Sequence, residues 1–181
     1  MLGDKYSQRA LDLINQPVNS KGVGNKLRTY AKFKKSISLE YYLISNLSWT
    51  KKRIITKFRT SDHKLKIEVG RHCRPRLPPE QRLCVYCDQN KTEDEVHFIM
   101  ECPKYNALRV RYNIVKNNED NLANFITLFT TEDYDKLNNL AEFIKEALAL
   151  RESLSTKTIN NILNSTNNVT DVVLNDTLVV Q

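Results

Sequence analysis

Between Cys84 and Cys102 the chain reads C-x2-C-x9-H-x4-C, and no other feature restricts its folding as much. Three thiols and one imidazole make a Cys3His set, the ligand chemistry of structural Zn2+ sites. Cys84 and Cys87, two residues apart, form a tight knuckle that aims both sulfurs at one ion. His97 and Cys102 must come from a second local element. Thr92-x-x-Glu95 has the form of a capping box and predicts a short helix from Glu93. Glu93, Asp94 and Glu95 then fill its first turn, where the helix dipole favours acids. Pro103 disfavours helical geometry at Cys102. The helix is therefore expected to unwind there, which matters because a step of five residues does not align on an intact α-helix. Phe98, Ile99 and Met100 are expected to pack beneath. With four ligands in place no coordination position stays open, so the expected zinc is structural. The competing reading is a set of ordinary buried Cys and His residues.

The four cysteines fit metal ligation better than disulfides, because the N-terminal residues contain no apolar signal-peptide core. No run approaches the roughly 20 apolar residues that span a bilayer, so no membrane partner is expected. The expected location is intracellular and nuclear. Cys73 is left over. It is read as a free thiol, or with His72 as an alternative ligand.

Charge is distributed unevenly. Residues 1–79 hold 18 Lys and Arg against 5 Asp and Glu, whereas 80–181 hold 10 against 16. A basic first half beside an acidic second half suggests a polyanion partner, RNA or DNA. A well-solvated helical surface is the other reading. The candidate contacts are Arg28, Lys32, Lys35, Lys51, Lys52, Arg53, Lys57, Arg59, His63, Lys64, Arg71, Arg74, Arg76 and Arg82. Tyr30, Tyr41, Tyr42 and Trp49 are interleaved with them. Aromatic rings stack on unpaired bases, but apolar spacing assigns most of these four to the core. His63 is expected at the surface or in a local hydrogen bond.

Only 4 Gly and 5 Pro are present, which disfavours a turn-rich all-β fold. Apolar spacing of three and four predicts helices over Lys5–Ile14, Lys26–Lys35, Leu39–Leu47, Trp49–Arg59, from Pro103 through Val115, around Leu122–Phe129, and from Thr130 or Thr131 to Glu152. Pro17 and Asn19 close the first. The apolar stripe of the last helix, Tyr134, Leu137, Ala141, Ile144 and Leu148, faces a core. Residues 60–79 read as an extended basic connection. Residues 153–181, rich in Asn, Thr and Ser, read as a disordered tail with a short strand near Val172–Val180. The fold class is mostly α: a small helical bundle with an embedded Cys3His zinc knuckle. Its parts are an N-terminal extension (1–25), a basic helical segment and linker (26–79), the zinc knuckle with C-terminal helices (80–152) and the tail (153–181).

Several runs carry a family resemblance: Lys26-Leu-Arg-Thr-Tyr-Ala-Lys-Phe-Lys-Lys, Leu39-Glu-Tyr-Tyr-Leu, Lys57 through His72, and Arg82 through Cys87 with Glu93 through Arg109. Together, over about residues 26–152, they resemble the region that follows the polymerase core in LINE-type (non-LTR) retrotransposon reverse transcriptases. The zinc motif is the most specific part. In those elements the region helps hold RNA and target DNA behind the polymerase. The resemblance implies that Cys84, Cys87, His97 and Cys102 are zinc ligands. It also implies that Arg59, His63, Lys64 and Arg71 belong to the basic segment before the knuckle. No polymerase palm and no adjacent Asp pair are present, nor anything like an endonuclease. The expectation is a non-catalytic nucleic-acid-binding module. Its alternatives are a structural zinc module that docks a protein such as a polymerase body, or a functionless retroelement remnant.

Overall fold

The structure, a computed structural model, describes residues 2–14, 27–34, 36–114 and 119–175, with side chains described from 5 to 157 inside those ranges. The described residues form helices and turns without a strand; the sole β-pairing among them is an isolated antiparallel bridge, Leu83 to Thr92. In order, the α-helices are α1 (Leu2–Ile14), α2 (Tyr30–Phe33), α3 (Tyr41–Ile44), α4 (Trp49–Arg59) and α5 (Lys66–Val69). A 3-10 turn (Pro79–Gln81), a π-turn (His97–Glu101) and a second 3-10 turn (Pro103–Tyr105) follow. Then come α6 (Asn106–Arg111), α7 (Asn121–Thr130) and α8 (Tyr134–Asn175). The chain divides into a unit ending at Lys145 and one beginning at Glu146.

The core of the first unit is aromatic. Phe98 of the π-turn lies 5.6 Å from Phe58 of α4, 4.7 Å from Tyr105 and 6.4 Å from Phe143 of α8, centroid to centroid. Phe33 of α2 stacks on Phe129 of α7 at 6.0 Å. Leu137, Leu140, Ala141, Phe143 and Ile144 of α8 are fully buried, adding Leu140 and Phe143 to the expected stripe, whereas Tyr134, expected in it, is exposed at the helix start and Leu148 is half-buried.

Helix α4 falls where its periodicity predicts, with Ile55 and Phe58 inward. Its end carries the double hydrogen bond of a Schellman turn: Asp62 N donates to Lys57 O at 2.7 Å and Ser61 N to Phe58 O at 3.4 Å. The left-handed position, φ 55°, belongs to Ser61 rather than glycine. Its hydroxyl donates to Glu95 at 2.9 Å, holding it there. Asn113 plays the same part at the end of α6.

Several expectations are corrected. The helices expected over Lys26–Lys35 and Leu39–Leu47 shrink to single turns, α2 and α3; Lys26 and Lys35 lie outside the described residues, as do Pro17, Asn19 and Val115. The connection over 60–79 contains α5. The cap of α8 is Asp133, whose carboxylate accepts from the Asp135 and Lys136 amides, so neither Thr130 nor Thr131 starts the helix. The same helix passes Glu152 and reaches Asn175, through the segment expected to be a disordered tail. No Gly or Pro follows Pro103 in the chain, so nothing local stops it. The expected strand near Val172–Val180 is helix as far as Asn175, and the rest of it lies outside the described residues.

Arg59 is the largest departure. Expected on a basic surface, it is 1% exposed. Its guanidinium sits 4.2 Å from the Phe33 ring centroid and 5.2 Å from that of Tyr42. Nη2 donates to Glu40 at 2.7 Å and Nη1 to the Phe129 carbonyl at 2.5 Å. Lysine has no planar fork to reach both partners while stacked on rings. Arg59→Lys is therefore expected to cost about 3 kcal/mol, read by urea unfolding. A loss under about 1 kcal/mol would show that the guanidinium does not join α4 to α7.

Candidate metal centre

The first thiol pair is held on a short reversal. Cys84 N donates to Lys91 O at 2.8 Å and Glu93 N to Arg82 O at 2.9 Å, flanking the Leu83–Thr92 bridge. Asn90 turns the chain with φ 51°, a conformation asparagine tolerates. Arg82 anchors the base. Its guanidinium donates to the carbonyls of Leu77 (2.6 Å) and Ile67 (2.7 Å). Gly70 makes this possible, since a Cβ there would lie 2.6 Å from Arg82 Cγ.

The second pair stands on the π-turn. Cys102 N donates to His97 O at 2.7 Å, an i to i+5 bond. In an α-helix of 3.6 residues per turn, residue i+5 sits about 140° away from residue i. The wider turn brings His97 and Cys102 onto one face, where simple unwinding at Cys102 was expected. Cys102 itself is extended (ψ 119°), as Pro103 requires. Arg109 ties off the buried carbonyls of the turn, donating to Ile99 O at 3.1 Å and to Cys102 O. Phe98, Ile99 and Met100 fill the core beneath, as expected.

The capping box is displaced. Asp94, not Thr92, accepts from the His97 amide at 2.8 Å; the Thr92 hydroxyl donates to Pro79 O at 3.3 Å. Glu93 and Glu95 are buried instead of sitting in a solvated first turn. Glu93 accepts from Lys66 N at 2.8 Å. Glu95 accepts from Arg28 at 2.9 Å and from Ser61, and lies 2.8 Å from His63 Nε2. Burial alone would raise the Glu95 carboxyl, but the His63 hydrogen bond and the Arg28 charge outweigh it and hold it at about 2.

The ligand atoms of Cys84, Cys87, His97 and Cys102 all lie within 4.8 Å of one another. Cys87 Sγ is 3.4 Å from His97 Nε2. Tetrahedral zinc, with Zn–S near 2.3 Å and Zn–N near 2.0 Å, separates its ligands by about 3.5–3.8 Å, so the cluster is of the right size. Cys84, Cys102 and His97 are buried and Cys87 is half-buried. A hydrogen bond from Cys102 holds Cys84 as thiolate, at about 4, and pushes the Cys102 thiol up. Burial works against charge on His97, but the Cys84 thiolate and Glu101 raise its pKa. Sulfurs and a ring nitrogen crowded around one point are best satisfied by a cation. Outside them, Glu101 Oε2 lies 3.6 Å from His97 Nδ1, and Lys91 (2.8 Å) and Asn121 (3.0 Å) hold that carboxylate. At 3.6 Å the carboxylate faces the imidazole without a hydrogen bond to it, and His97 Nδ1 has no hydrogen-bond partner among the described residues. Sequence spacing picked out the four clustered side chains but not Glu101, Asn121 or Arg109, whose places come from tertiary packing. Cys73 and His72 are exposed and outside the cluster, so neither is an alternative ligand.

The proposed nucleic-acid contacts divide in two. Arg28, Arg59, His63 and Arg82 are turned inward. Arg28 pairs with Glu68 and Glu95, and the His63 side chain is 2% exposed; it is not at the surface, but its Nδ1 accepts the local hydrogen bond that was the other expectation, from Leu65 N at 3.4 Å. Arg71 pairs with Glu68, Lys51 with Glu142 and Asn138, and Lys52 donates to Leu43 O. Lys32, Arg53, Lys64, Arg74 and Arg76 are exposed and Lys57 is half-exposed. Among the aromatics Tyr42 is buried, whereas Trp49 is 77% exposed. No family model, curated protein or solved structure matches the chain.

Cys87→Ser is expected to abolish metal binding and speed amide exchange over 82–93 and 97–102, leaving α4 and α8 protected. One metal ion per chain in that variant, by elemental analysis, would refute the assignment.

Proposed function

We propose that this chain is a non-catalytic nucleic-acid-binding module whose helical fold is clamped by one structural zinc ion. Thiolate and imidazole ligands favour zinc over oxygen-seeking cations. Four protein ligands complete a tetrahedron and leave no position for substrate, which supports a structural role. The nucleic-acid reading is carried by the cations that stay outside after the internal pairs are taken away. Over residues 27–79, among the described residues, Lys32, Arg53, Lys64, Arg74 and Arg76 are exposed against one exposed acid, Asp62. Such a surface gains affinity by releasing counterions from phosphates. The resemblance of residues 26–152 to the region behind the polymerase of LINE-type elements supports the same reading. Ile37, Leu39 and Ile44, exposed by 51%, 70% and 60%, favour a second one, a zinc module that docks a protein.

Binding of the zinc-loaded chain to labelled oligonucleotides should fall about 100-fold between roughly 50 and 200 mM salt, for about five phosphate contacts. Changing Arg53, Lys64, Arg74 and Arg76 together to Gln should flatten that dependence without lowering the unfolding midpoint. A response to salt that is flat in the parent chain, or no binding at low salt, would overturn the reading.

A further inference from the structure

Trp49 opens α4 and is the only tryptophan in the chain. It is 77% exposed, although a ring of that size normally contributes to a core. Arg53 and Lys57 follow at i+4 and i+8 and share its side of the helix, about 6 Å apart along the axis. The opposite side buries Ile55, Phe58 and Arg59. Lys51 and Lys52 are engaged with Glu142, Asn138 and the Leu43 carbonyl. Arg53 is exposed and Lys57 half-exposed. From Tyr41 to Ile67 the only acid is Asp62, against seven Lys and Arg.

We infer that the Trp49–Arg53–Lys57 face of α4 binds single-stranded nucleic acid, one base stacking on the indole and successive phosphates lying along the two cations. This rests on the nucleic-acid reading above and narrows it to unpaired strands. A flat aromatic ring accepts any base face, whereas a duplex hides those faces and offers phosphates alone. The positive charge around the ring suits a polyanion, and an exposed indole without that charge would not select one.

The single tryptophan makes the test site-specific. The zinc-loaded full chain is titrated with an oligothymidylate of about 15 nucleotides and with a duplex of equal length. Indole fluorescence is recorded in the parent chain. Affinity is measured by anisotropy of the labelled oligonucleotides in the parent, in Trp49→Leu and in Arg53→Gln/Lys57→Gln. The single strand should quench the indole. Trp49→Leu should weaken single-strand binding at least fivefold and leave duplex binding unchanged. The double variant should weaken both. Salt-sensitive binding of both forms with unchanged fluorescence, and parent affinity in Trp49→Leu, would overturn this inference but keep the module reading. No binding of either form would overturn both. An indole emission maximum that shifts with protein concentration and not with oligonucleotide would make the face a surface between copies of the chain and overturn the inference.

Discussion

The hydrogen bond from Cys102 N to His97 O is the constraint on which the first unit turns. It widens one helical turn so that two metal-ligand candidates share a face. The same turn delivers Phe98, Ile99 and Met100 to the core on its other side. A regular α-helix could not serve both, because His97 and Cys102 would diverge by about 140°. Proline at 103 and the guanidinium of Arg109 then close the turn, one by restricting Cys102 and the other by donating to its stranded carbonyls. Metal chemistry and core packing are thereby bound to one five-residue element.

A second theme is that positive charge is spent inside the molecule. Arg59 stacks on rings and joins α4 to the end of α7. Arg82 laces two carbonyls over Gly70. Arg28 is taken up by Glu68 and Glu95. Buried charges of this kind hold only while every partner is present; removing one leaves another desolvated and unpaired. The excess of Lys and Arg in the first 79 residues therefore overstates the surface open to a polyanion, and the exposed set contracts to a few positions around α4 and the Arg74–Arg76 loop.

What was legible in the sequence follows the range of the interactions. The cluster of Cys84, Cys87, His97 and Cys102 was readable because a shared metal centre calls for such residue types at such a spacing. Helix α4 was readable because its apolar side repeats every three to four residues. The Thr92 capping box was misleading: Asp94, two residues on, offers a carboxylate as acceptor, and the Thr92 hydroxyl is drawn away to Pro79 while its backbone bridges Leu83. The inward fate of Arg59 had no local signal, since its partners lie 19 and 70 residues away; for His63 the local bond to Leu65 was foreseeable, but Glu95, 32 residues on, was not. The reach of α8 beyond Glu152 was missed because polar composition was weighed above the absence of any helix breaker.

The acids before His97 connect the candidate metal centre to the basic segment. Helix α5 has Leu65 at its cap position, and Leu65 supplies no capping side chain. The missing acceptors come from Glu93: its carboxylate takes the Lys66 amide and its carbonyl takes the Ile67 amide at 3.1 Å. Two residues on, Glu95 gathers Arg28, Ser61 and His63, and so fixes the end of α4. The segment leading into His97 thus caps one helix and braces the turn after another, each more than 25 residues earlier in the chain. An ion that ordered Cys84 to Cys102 would order these two acids with it. Its influence on the surface of α4 would then pass through Glu95 and the left-handed Ser61, not through any contact between metal and ligand.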